Sequence, residues 1–504
     1  MNPAWSSAAP DTSSRSTVDD PVERAVLDHV PCGVFVGGRW RESADGRTFP
    51  VEDPATEAIL RTVADGTAMD GRAALDAAVA AQTDWAATAP RYRAELLRAA
   101  YEQLVARTEE FALLMTLEMG KPLAQARSEV TYGAEFLRWF SEEAVRISGR
   151  WGLAPEGASR LVTTKHPVGP TLMITPWNFP LAMGARKMAP ALAAGCTMVV
   201  KPAAQTPLTM LALADLLTTV GIPPGVVNVV ATTRAAEVTA PLFADPRLRK
   251  LTFTGSTAVG RHLMRQAAGT LLRTSMELGG DAPFLVFADA DLGRAVDAAM
   301  LAKMRNMGEA CTAANRFLVH ESVAEQFAAQ LTTRMAAGVV GRGTDAGVTV
   351  GPLIDAAARR RVADLVDDAR DRGATVLTGG SAIGENGYFY APTVLTGVPA
   401  DTTLTRKEIF GPVAPITTFT AESEALTIAN DSEYGLAAYL FTRDLSRAVQ
   451  IAERLDVGMV GINQGMVSSA AAPFGGVKQS GFGREGGPEG IDEYLSLKSI
   501  SLAV

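Results

Sequence analysis

The chain has 504 residues, too many for one ordinary hydrophobic core, so two or more domains are expected. Apolar residues make up 47% and charged residues 20%, the balance of a globular protein rather than a disordered one. A formal charge of −8 with no basic stripe gives no nucleic-acid footprint, and no apolar run reaches the roughly 20 residues of a membrane helix, so neither partner is expected.

In chain order, the opening residues are rich in Ser, Ala, Pro, Thr and Asp and lack an apolar core. They read as part of a flexible tail over residues 1–33, not a secretory signal. Order is expected from Val34, where Val34 to Trp40 reads as a strand entering a turn. From about Ala68 to Ile147 apolar positions recur at helical spacing, as in Leu96, Leu97, Ala100 and Leu104. The pattern then changes to strands at 171–174, 197–200, 226–230 and 251–254, with a helix over 208–220. Such alternation implies a mostly parallel, doubly wound sheet with its ligand beyond the carboxyl ends of the strands. A second α/β unit starts near Asp281, with a strand at 283–287, a helix over 292–304 and further alternation to 459–463. The tail alternates at Ile500, Leu502 and Val504 and reads as a strand. A lone strand leaves an open edge, so it is expected to pair, with a neighbouring subunit as its expected partner.

Only Cys32, Cys196 and Cys311 occur, which suggests no disulfide framework and a reducing compartment; the expected address is the cytoplasm. Cys196 lies in an apolar run and reads as core, and Cys32 is given no role. None of the four histidines accompanies a cysteine motif, which disfavours a histidine-assisted cysteine hydrolase, and no metal site is expected. The informative residues are Glu277, in Ser275-Met276-Glu277-Leu278-Gly279-Gly280, and Cys311, in Gly308-Glu309-Ala310-Cys311. A thiolate can attack a carbonyl, and a carboxylate can deprotonate the water that later releases the acyl group. Asn178, in Thr175-Pro176-Trp177-Asn178-Phe179-Pro180, could donate to an oxyanion. A lone Glu is usually solvated and a lone Cys usually core; the set of three argues for chemistry.

In this order and spacing the three motifs resemble those of the aldehyde dehydrogenase superfamily, and the resemblance runs from about residue 34 to Lys478-Gln479-Ser480-Gly481-Phe482-Gly483-Arg484-Glu485. It implies an α/β fold with a dinucleotide-binding domain over 34–144 and 168–279 and a catalytic domain over 280–479. It further implies a small β oligomerisation element over 145–167 and 480–504, and a homodimer or homotetramer. Cys311 would form a thiohemiacetal and then a thioester, with Asn178 and the Cys311 N–H holding the oxyanion and Glu277 activating water. Gly255-Ser256-Thr257-Ala258-Val259-Gly260 follows a strand and opens a helix, a start suited to a phosphate. It matches the family's variant of the dinucleotide turn. The resemblance places Lys201 at the adenosine ribose, Glu408 at the nicotinamide ribose and Phe410 beside it. Thr175, Pro176, Trp177, Gly255, Ser256, Gly260 and Leu278 would complete the cofactor site.

Ala204 stands where NAD-preferring relatives carry a Glu that would repel a 2′-phosphate, so NADP is the expected cofactor, with NAD accepted. Arg234 could reach that phosphate or lie in solvent. Arg186, Arg305 and Ser468 match positions that succinate-semialdehyde dehydrogenases use for the substrate's distal carboxylate, and two guanidiniums suit such an anion. The expected substrate is therefore succinate semialdehyde or a similar short ω-oxo carboxylate. Glutarate semialdehyde or a broader aldehyde range is the alternative. Processes implied include 4-aminobutyrate breakdown and removal of stray semialdehydes. A CoA-acylating enzyme is disfavoured by Glu277, and a non-catalytic descendant by the retention of both Cys311 and Glu277. Glu309 stands where Gln is commoner; facing inward it would raise the thiol pKa, facing away it would matter little. Ala313 replaces a second cysteine of several relatives, which removes a local disulfide switch.

Overall fold

The computed structural model describes residues 19–503. The first sheet has eight strands, with a parallel centre ordered Val227–Val229, Met198–Lys201, Thr171–Ile174, Lys250–Thr254, Arg273–Glu277. Sequence order reverses between Thr171–Ile174 and Lys250–Thr254, so this is the switch point at which an open α/β sheet holds its ligand. The carboxyl ends of four neighbouring strands therefore present Thr175, Lys201, Gly255 and Glu277 along one edge. These strands are buried on both faces, as a parallel sheet covered by helices requires.

The second sheet has seven strands, ordered Thr375–Thr378, Thr393–Thr396, Val413–Phe419, Ala314–His320, Ala282–Val286, Ala437–Phe441, Met459–Ile462, all parallel but the first. The chain passes from Glu277 through Gly279 and Gly280 into Ala282–Val286, and Cys311 lies just before Ala314–His320. Both reacting groups thus meet where the two sheets face each other. Gly280 is required there, because a Cβ would stand 2.1 Å from the Cys311 carbonyl oxygen.

The expected helical stretch resolves into Ala68–Ala87, Pro90–Ala106, Thr108–Met119 and Leu123–Glu143. Two expectations need correction. The chain is ordered before Val34: Pro21–His29 is a helix capped by Asp20, whose carboxylate accepts from the Val22 and Glu23 amides. Glu23 anchors it through Arg342 at 2.7 Å, an ion pair between residues too far apart in sequence to announce itself. The first 18 residues of the expected tail lie outside the described residues. The terminal strand Leu495–Ala503 finds its partner within the chain, pairing antiparallel with Ser159–Pro167 over its whole length. With Arg150–Leu153 these make a three-stranded sheet that exposes Trp151, Leu153, Leu161, Leu497, Ile500 and Leu502. Gly481–Phe482 instead extends the first sheet beside Arg273–Glu277. No helix among the described residues is long and apolar enough to cross a membrane.

Candidate active site

Cys311 and Glu277 come together: burial, followed by the Glu277 charge, pushes the thiol well above its usual pKa, against the pull of Arg186. Burial likewise raises Glu277, with Arg186 opposing. Glu277 Oε1 is buried with no protein partner, an acceptor left for water or a ligand. Asn178 stands on the adjoining loop, its Nδ2 donating to the Glu309 carbonyl at 3.0 Å. An amide nitrogen has a second hydrogen, and the Cys311 backbone N–H has no protein acceptor among the described residues. One amide hydrogen of Asn178 and the Cys311 N–H are therefore left without a protein acceptor among the described residues.

Glu309 faces away from the thiol. Its Oε1 accepts from the Ile354 amide at 3.2 Å, and complete burial raises its pKa well above the ordinary carboxylate value. Its carboxyl is directed at Ile354, and Glu309 is not among the groups that shift the Cys311 thiol most.

Arg186 is not placed as the sequence suggests. It is 1% exposed, ion-paired to Glu485, 3.5 Å from Glu277, and its guanidinium lies 4.1 Å from the Phe474 ring centroid. Lys187 ion-pairs the same Glu485. Two cations and two carboxylates thus close a buried cluster behind the thiol, and Arg186 is already matched. Arg305 differs. Among the described residues it has no carboxylate within 4 Å; its Nη1 touches Met466 Sδ at 2.8 Å, and its guanidinium lies 4.8 Å from the Phe179 ring centroid. Ser468 shares the loop that carries Met466, half-buried. Phe179, Met183, Ala310 and Ala313, with Tyr132 packed against them, form a small apolar cluster that takes residues from both sides of Cys311 in the chain.

The residues of the expected cofactor site lie along the edge of the first sheet and the facing loop. Ser256 caps the helix Thr257–Ala268 and Gly255 ends the strand before it, which leaves free amides at a helix start. Gly260 packs against Leu278, where a Cβ would meet Cδ2 at 2.5 Å; its smallness serves helix–strand packing. Lys201 is 9% exposed, has no ion-pair partner among the described residues, and burial lowers its pKa to about 8. Ala204 beside it carries no charge. Glu408 accepts from the Gly280 amide at 3.0 Å, and burial raises it to about 8. Its other oxygen lies where a Gly279 Cβ would come within 2.8 Å, so the glycine keeps the space beside that carboxyl open. Trp177 and Phe410 meet edge to face at 5.3 Å, with Thr175 and Pro176 leading into that wall. Arg234 is spoken for: Asp45 at 2.8 Å and Asp65 at 3.4 Å hold it, so it makes no phosphate ligand.

The family model described as aldehyde dehydrogenase family matches residues 40–500, and the chain belongs to that family. It is 60% identical over 445 residues to a succinate-semialdehyde dehydrogenase of Paenarthrobacter nicotinovorans, covering 88% of this chain and 99% of the relative. A glutarate-semialdehyde dehydrogenase of Pseudomonas aeruginosa is 47% identical over 93% of this chain and 97% of its own length. The crystal structure of a succinate-semialdehyde dehydrogenase from Burkholderia pseudomallei superposes with a TM-score of 0.93 at 45% identity, covering 97% of this chain and all of that one.

Proposed function

We propose that the chain oxidises succinate semialdehyde to succinate, with water supplying the second carboxylate oxygen and NADP+ reduced to NADPH as protons are released; glutarate semialdehyde and NAD are the second choices. The observation that carries the substrate is Arg305, a guanidinium with no carboxylate of its own among the described residues, held against Phe179 and Met466 six positions before Cys311. A short chain with an anion at the far end suits a guanidinium so placed.

The chain's own groups divide the work. Cys311 loses its proton to solvent and attacks as the thiolate, the form that Arg186 favours against burial. The tetrahedral oxygen then receives the second Asn178 amide hydrogen and the Cys311 N–H. When bound, the nicotinamide cofactor supplies the hydride acceptor. Its adenosine end fits Lys201 and the helix start at Thr257, and its nicotinamide ribose fits Glu408 and the wall of Trp177 and Phe410. Glu277 next deprotonates the water that cleaves the thioester at Cys311. Ala204 and Lys201 favour NADP because a 2′-phosphate meets one cation and no carboxylate there. Exposed Trp151 (66%) and Leu497 (67%) on the three-stranded sheet support an assembly of identical chains through that sheet. Unpaired cysteines among the described residues accord with the cytoplasm.

The test is initial rates with succinate semialdehyde against butanal, the same length without the carboxylate. We expect kcat/KM to favour the semialdehyde by roughly 100-fold, about 2.7 kcal/mol. Equal values would remove the carboxylate site.

A further inference from the structure

Lys121 and Glu129 lie outside the sequence motifs of the site. Lys121 follows the left-handed Gly120 that ends Thr108–Met119, and Glu129 sits on the next helix. They ion-pair with 1% and 0% side-chain exposure. A pair so buried recovers little beyond its desolvation cost, so its stability contribution does not explain it. Its remaining contacts all go to one loop. Lys121 Nζ donates to the Asn178 carbonyl at 2.8 Å and lies 4.2 Å from the Phe179 ring centroid. Glu129 Oε1 accepts from the Leu181 and Ala182 amides at 3.0 and 3.1 Å.

The cysteine loop is tied to the same point from the other side. Asn306 Nδ2 donates to the Asn178 carbonyl at 3.0 Å and to the Glu309 carbonyl at 2.9 Å. Asn306 and Met307 have φ of 56° and 54°, a left-handed conformation that non-glycine residues keep only where surroundings impose it. The Asn178 main chain is thereby held between Lys121 and Asn306, while its side chain spans to the loop of Cys311.

We propose that the Lys121–Glu129 pair is a positioning device for the oxyanion donor: it fixes the Asn178 backbone so that the free Nδ2 hydrogen points at the oxygen formed on Cys311. This rests on Asn178 being the oxyanion donor of the proposed function. Lys121 and Glu129 act through Asn178 and touch no substrate.

The test is a mutant cycle on the full-length enzyme with wild type, Asn178→Ala, Lys121→Met/Glu129→Gln and the triple variant. The paired change leaves no lone charge in the core. It should lower kcat about 10- to 100-fold, the scale of a misplacement near 1 Å. The loss should be equal for succinate semialdehyde and butanal, since both form the same oxyanion, with the cofactor KM unchanged within about 2-fold. The triple variant should be no slower than Asn178→Ala alone, whereas a merely structural role would multiply the losses. Unchanged kcat in the paired variant, multiplied losses in the triple, or a loss confined to the semialdehyde would each overturn the proposal. Full kcat in Asn178→Ala would instead overturn the oxyanion reading, and the proposal with it. Should the paired variant not fold, Lys121→Arg, which keeps the charge but moves its donors, is put through the same cycle.

Discussion

Two arginines near the thiol carry the same charge and are placed for different work. Arg186 is buried between Glu485 and Glu277, in a cluster where two cations face two carboxylates. Arg305 has an aromatic ring and a thioether for company and no carboxylate partner among the described residues. A matched cluster has no net charge to offer an incoming anion, while an unmatched guanidinium does. The inner region therefore sets the protonation of the reacting groups, and the outer region sets which aldehyde is chosen. Equivalent motif positions conceal that division.

The inner region is broken most severely by Glu277→Gln. It preserves shape but removes the base, so steady-state turnover should fall about 100- to 10,000-fold. Reduced cofactor should still appear in a first-turnover burst, because the water step comes after hydride loss; rapid-quench or stopped-flow absorbance reads this directly. No burst would place Glu277 before the hydride step alone. A smaller change sharpens the cofactor side. Ala204→Glu puts a carboxylate where the 2′-phosphate of NADP would approach, and like charges 4 Å apart repel by up to about 4 kcal/mol at an effective dielectric of 20. With Ala204 half-buried the NADP-to-NAD ratio of kcat/KM should drop about 10-fold. The smallest effect is one of pH. Lys201, lowered to about 8 by burial, is a cation below that pH and neutral above it. NADP affinity should thus weaken as pH rises through about 8, with NAD affinity nearly level. Fluorescence titrations at pH 7 and pH 9 check the sign; parallel curves would detach Lys201 from the 2′-phosphate.

Much of the fold is legible in the sequence because strands and turns have local signatures. Thr171–Ile174 and Lys250–Thr254 are short strands that end in recognisable turns, so the local pattern alone sets Asn178 and Gly255 just past strand ends. The pairing of Glu277 with Cys311 is legible from motif chemistry. What stays hidden depends on distant partners. Lys187 and Arg186 meet Glu485 across almost 300 residues, and no local pattern announces that a guanidinium is already matched. Lys121 and Glu129 sit in an ordinary helical stretch, and their meaning comes only from contact with the Asn178 loop. The helix Pro21–His29 is obscured by the low-complexity residues before it, although Asp20-Pro21 is a sound helix start. The terminal strand is legible as a strand, but strand periodicity carries no record of the partner.

The division between the two arginines is tested most directly by Arg305→Met, assayed with succinate semialdehyde and with butanal. If Arg305 holds the substrate carboxylate and nothing else, kcat/KM for the semialdehyde should fall roughly 100-fold. Butanal should be oxidised at the wild-type rate, so the two substrates become nearly equal. A parallel loss on both would mean that Arg305 supports the catalytic loop instead, and an unchanged preference for the semialdehyde would return the carboxylate to Arg186 and contradict the account.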